Sequence, residues 1–135
     1  MLDLKLIRDR LVEMAPELRT VEITTDFETA SKKSINAPTG FVLELGEVYG
    51  ANGFGSGQVS QLVTSEFGVV FAVPDLRRPD ESSVLRLPRL AVRQALLGHA
   101  PEGMTEIAAK ASRLLSAGPV VWWLDSYTTQ YIIHS

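Results

Sequence analysis

Residues Gln58–Pro74 read QVSQLVTSEFGVVFAVP, the longest strand-like run in the chain. Val59, Leu62, Thr64, Phe67, Val69, Val70, Phe71 and Val73 supply the β-branched and aromatic bulk that suits a pleated, buried surface. Pro74 cannot donate to a ladder and stops the run, and the glycine-rich segment GANGFGSG, Gly50–Gly57, precedes it. The stretch is therefore expected to be the central strand of a single sheet, entered from a flexible loop. Its two halves differ. From Gln58 to Glu66, polar residues fall on both sides of the alternation, so this part is expected to project from the body. From Phe67 onward the run is core. Gly68 disturbs the alternation and predicts a bulge or bend. No chemistry is attached to the stretch, which points to a structural, assembly-type protein acting through its surfaces.

The flanking sequence supplies the rest of an α+β fold, a single mixed or antiparallel sheet with long central strands and two main helices. Leu4, Ile7, Leu11 and Met14 recur at helical spacing and predict a helix over residues 2–15, with Asp3 at its start and Pro16 at its end. Short strands are expected over Leu18–Ile23 and Phe41–Leu45, with one or two helical turns at Phe27–Ser31 between them. Gly46–Gly57 holds five of the chain's ten glycines and reads as a loop. After the charged segment DLRRPDESS, Ser82 or Ser83 can cap a helix running to His99, and Pro88 predicts that regular helix begins only near it. Its inner face is expected to carry Val84, Leu87, Ala91 and Ala95. Ala108–Leu115 and Val120–His134 (VVWWLDSYTTQYIIH) read as strands joined by the turn at Ser116–Pro119. Trp122 and Trp123 are adjacent on a strand and must point to opposite faces, one into the core and the other under a helix or in an interface.

The 135 residues suit one domain spanning 1–135, and a 45% hydrophobic content is ordinary for a globular chain. The absence of cysteine excludes disulfides, thiolate metal sites and cysteine nucleophiles. A net charge of −3 gives no ground for a nucleic-acid or membrane partner. Residues 1–70 carry 6 Lys+Arg against 10 Asp+Glu, and residues 71–135 carry 7 against 6, so the first half is acidic. The N-terminus mixes charges and has neither a long apolar segment nor a small-residue cleavage site, so no signal peptide is expected.

A search for catalytic or binding motifs returns little. GANGFGSG lacks the Gly-Lys-Ser/Thr ending and the strand–loop–helix setting of a phosphate loop. Ser56 is not in a Gly-x-Ser-x-Gly elbow. His99 follows a helix and His134 sits one residue from the C-terminus, so a histidine site would need both to converge with a carboxylate, and Glu44 and Glu47 read as exposed strand-end charge. No catalytic, cofactor or metal residue is therefore expected, and the chain is not expected to be an enzyme. The most directional polar feature is an arginine stripe, Arg86, Arg89 and Arg93, with Arg77 and Arg78 upstream. It reads as a solvated helix face, a contact with acids on a neighbouring subunit, or a phosphate contact. Interleaved aromatics for base stacking are missing. The expected interface residues are these arginines together with Tyr49, Asn52, Phe54, Gln58 and Gln61 of the glycine loop and the strand start.

Taken in order, IRDRLVEMAPELRTVE (residues 7–22), FVLELGE (41–47), the glycine loop, QVSQLVTSEFGV (58–69), RLAVRQALLGHAPEG (89–103) and VVWWLDSY (120–127) resemble the tail terminator proteins of long-tailed phages and prophages. The resemblance implies a small α+β subunit that assembles as a six-fold ring on the tail tube. There it ends tube growth and offers the head its attachment surface. It implies as partners further copies of the chain (a homo-hexamer, monomeric in solution until it meets the tube), the tail tube protein and a head-completion or connector protein. It implies no cofactor, no membrane and no specific nucleic acid, and a place in the virion tail reached from the host cytoplasm during assembly. A head–tail connector or tail completion protein is the nearest alternative. A small ligand-binding domain or enzyme, and a nucleic-acid module using the arginines, are alternatives from other classes.

Overall fold

The computed structural model describes residues 1–53, 57–74 and 81–135, apart from the side chains of residues 81–83. In chain order the elements are α1 (Leu4–Met14), β1 (Thr20–Ile23), α2 (Phe27–Ser31), β2 (Thr39–Tyr49), β3 (Ser60–Pro74), α3 (Glu81–Leu96), β4 (Ala108–Ser116) and β5 (Val120–His134). The strands form one five-stranded sheet in the order β1-β2-β3-β5-β4. β1 runs parallel to β2, and the other pairings are antiparallel. The fold is the expected mixed α+β sheet. β3 is its central strand, with every residue from Ser60 to Pro74 opposite a residue of β5.

The sheet has two unequal faces. On one, Val42, Phe67, Val69, Phe71 and Tyr127 pack with Ile7 and Leu11 of α1 and with Val92, Ala95 and Leu96 of α3. This is the main core. On the other, Phe41, Leu43, Val70, Ala72, Trp122 and Leu124 form a smaller cluster with Ala30, flanked by Phe27 of the short α2. Phe27 meets the Trp122 ring edge-on at 5.5 Å and Phe41 stacks on it at 6.0 Å. Asp26 caps α2 by accepting from Thr29 N at 2.7 Å, and that bond holds its carboxyl below the usual carboxylate range. The adjacent tryptophans divide as alternation requires. Trp122 is buried under α2, and Trp123 lies on the α3 side.

Several expectations are corrected by packing. α1 begins at Leu4, capped by Asp3, but Met14 is exposed, and Leu2 and Ala15 complete the buried set instead. α3 starts at Glu81, so Ser82 and Ser83 lie inside it rather than capping it, and Pro88 is accommodated within the helix. Leu87 is exposed, because Pro88, Val92, Ala95 and Leu96 take the inward positions. β2 does not stop at Leu45 but runs to Tyr49, so Gly46–Tyr49 is strand rather than loop. There is no register shift at Gly68. The shift in this ladder lies in β2, between Glu44 and Gly46. Gly68 is instead a site of close approach, where a Cβ would stand 2.6 Å from Leu124 Cδ1.

Candidate interaction surfaces

The arginine stripe does not stay together. Arg89 turns inward from α3 and donates from Nε and Nη2 to the two carboxylate oxygens of Asp125 on β5, at 2.9 and 3.0 Å. Its side chain is 22% exposed and that of Asp125 6%. Arg89 Nη2 also donates to Ser112 Oγ on β4 at 2.8 Å, and Ser112 Oγ donates to Asp125 Oδ1 at 2.6 Å. Trp123 Nε1 donates to the same pair of acceptors, and the guanidinium carbon lies 4.6 Å from the centre of the indole. The fork of the guanidinium matches the carboxylate, and the ring supplies its face to the cation. Asp125 would be a costly buried charge if unpaired, but each of its oxygens has a donor. The cluster ties α3 to two strands, so Arg89 is a structural residue and not part of a solvated face. Arg86 and Arg93 remain exposed, Arg93 beside the β4 and β5 residues Ser112, Asp125 and Tyr127.

The residues expected around the glycine loop do converge at one end of the sheet. Tyr49 is exposed and pairs with Val63 across β2 and β3. Asn52 Nδ2 donates to the carbonyl of Gln58 at 3.1 Å, and its Oδ1 accepts from Ser60 N at 3.0 Å. Gln61 Nε2 donates to the carbonyl of Gly50 at 2.8 Å. Asn52 and Gln61 therefore close the connection between β2 and β3. The first half of β3 is not a free projection, since it is paired with β2 on one side and β5 on the other. Phe54, Arg77 and Arg78 lie outside the described residues.

Two groups of exposed apolar residues depart from the sequence reading, which counted Leu62 as strand bulk and Leu87 as inner helix face. On β2, β3 and β5, Val48, Leu62 and Ile132 are exposed. On α3 and just past its end, Leu87, Leu90 and Leu97 are exposed. The second group had a signal: with Gln94 these leucines follow i, i+3, i+7, i+10, a helical stripe distinct from the buried one.

Beneath Tyr49, the phenol of Tyr131 donates to Glu47 at 2.6 Å and is thereby pushed up to about 12. On the sheet face that carries α2, Lys110 pairs with Glu66 at 2.6 Å. Partial burial lowers the pKa of His99, with Arg10 adding to the effect. Among the described residues no group of three His, Asp or Glu stands close enough to hold a metal ion, and no helix is long and apolar enough to cross a membrane. The described surface thus offers exposed apolar and charged patches for contact.

A family model described as phage tail terminator protein matches residues 1–135, the whole chain. The chain belongs to that family. No curated protein matches it at a significant level. Phage tail terminators are structural proteins of the tail, so this chain is a phage tail structural protein whose partners are other tail-associated assembly components and whose place is the virion tail.

Proposed function

We propose that the chain caps the tail tube as a ring of six copies, ends tube polymerisation and presents the surface to which the head attaches. The match of the terminator family over the full length carries this reading. It is supported by a sheet with its two long helices on one face, only the short α2 on the other, and exposed apolar and charged patches elsewhere, the surface expected of a subunit that meets several neighbours. On this reading the chain acts by occupying the growing end of the tube, and binding rather than chemistry stops growth. The Tyr49–Gly57 connection and the start of β3 are the parts proposed to contact the tube or the adjacent copy.

The test is assembly in the absence of the chain. Lysates of a phage or prophage carrying a stop codon in this gene should contain headless tails or overgrown tubes by electron microscopy. Added purified chain should restore tails of uniform length that accept heads. Tails of normal length that join heads without the chain would overturn the proposal. Removing Asn52–Ser56 should leave the circular dichroism spectrum unchanged while reducing tail completion at least tenfold.

A further inference from the structure

The sheet ends in two open edges, β1 on one side and β4 on the other. Among the described residues no backbone bond reaches the outer side of either strand. Eight of the nine residues of β4 are exposed, and neither strand contains a proline to blunt its edge. A row of unpaired N–H and C=O groups is a template for a strand from another chain. The two edges also match in length. Register shifts between Ala109 and Ala111 and between Leu114 and Ser116 leave β4 a regular stretch of four residues, Ala111–Leu114. β1 is four residues long as well.

We infer that these edges pair between copies: β4 of one chain adds to β1 of the next, and the sheet runs on from subunit to subunit. This rests on the ring reading above and names the contact that would build it. Direction fits. β1, β2 and β5 run one way and β3 and β4 the other. With the long helices of both copies on one face, β4 therefore meets the next β1 antiparallel, the more stable pairing per residue. Sides fit too. Glu22 pairs with Phe41 and Arg113 with Leu124, so both lie on the face that carries α2. Placing Arg113 opposite Glu22 sets Leu114 opposite Val21 on the helix-covered face, where Val21 and Trp123, the neighbour of Leu114, already pack. The charges are available. Arg113 is exposed and has no ion pair among the described residues. Glu22 gives only Oε2 to Lys33, at 3.3 Å, and both side chains of that pair are about half exposed. β4 carries Lys110 and Arg113 and no acid, whereas β1 carries Glu22 and no Lys or Arg. Pairing β4 with another β4 would bring the two Arg113 side chains together, which directs β4 to β1 instead. A contact between unlike edges propagates in one direction, and closing it into a ring leaves no edge open.

The absence of cysteine makes the test direct. A chain carrying both Glu22→Cys and Arg113→Cys, assembled on purified tail tubes and treated with a bismaleimide, should give a ladder of covalent oligomers. Either substitution alone should give none. A covalent dimer from Arg113→Cys alone would show β4 meeting β4 and overturn the pairing. A second test uses charge. Glu22→Arg or Arg113→Glu alone should lower the fraction of capped tubes about tenfold, and the two reversals in one chain should restore it. Neither side chain is buried, so all these variants should melt within a few degrees of the unaltered chain. Rings on tubes without a double-cysteine ladder, single reversals that cap normally, or a double reversal no better than either single would overturn this pairing and leave the ring reading standing. No rings on tubes with the unaltered chain would overturn the ring reading itself.

Discussion

β3 is one strand with two environments. From Phe67 to Val73 seven consecutive residues are buried, because helices lie on one side and the Trp122 cluster on the other. From Ser60 to Glu66 only Val63 and Ser65 are buried. A continuous buried run and an alternating one are the signatures of a strand covered on both faces and on one face. The proximal half therefore holds the fold together, and the distal half keeps a face available for other molecules.

Substitutions should separate the halves. The largest effect is expected for Phe71→Ala, which empties a fully buried site between strands and helices and should cost about 3–5 kcal/mol in urea unfolding. A loss below about 1 kcal/mol would show that the proximal half is not the load it is taken to be. Arg89→Ala should follow at about 3 kcal/mol, since Asp125 stays buried without its cation. Arg86→Ala, on the exposed side of the same helix, should change stability by under about 0.5 kcal/mol.

Two tyrosines give the comparison a pH dependence. Tyr127, in the proximal half, is pushed up to about 12 chiefly by burial, and Tyr131, in the distal half, reaches about 12 through its bond to Glu47. A folded-state value above the ordinary 10 means that the folded chain keeps a proton that the unfolded chain releases. Stability is therefore intact below pH 10 and falls as pH rises toward 12. Ultraviolet titration of phenolate should show Glu47→Gln bringing Tyr131 back toward 10 while Tyr127 stays near 12. If both tyrosines move, the two halves are not electrostatically separate. The smallest effect is expected for Leu62→Ser, which removes apolar surface from the bare face and should alter stability by about 0.5 kcal/mol or less.

Much of this was legible in the residues. The composition of 58–74 and 120–134 marked the two long strands, and the change at Phe67 marked where β3 passes into full burial. Asp3 marked the start of α1. The limits of β2 were not legible, because Gly46 reads as a turn residue while pairing with β3 overrode that propensity. The partner of Arg89 was hidden because Asp125 lies 36 residues away and reaches it only across the sheet. Spacing alone made Arg86, Arg89 and Arg93 one stripe. Position relative to β5 split them. The bare face on the distal sheet was hidden for the same reason: Val48, Leu62 and Ile132 look like core residues until the extent of α2 is known.

The register shift between Glu44 and Gly46 has a consequence for how this surface is written in the gene. Strand side chains follow a strict odd–even rule, and the extra residue at Leu45 reverses parity for the rest of β2. Before it, Val42 belongs to the helix-covered face; after it, Val48 shares the open face with Thr64. Deleting Leu45 alone would leave every downstream side chain in the sequence but transpose the two sets, moving Val48 to the α1 and α3 side of the sheet and Glu47 and Tyr49 to the α2 side. One codon therefore sets which residues of this arm the chain shows to its surroundings.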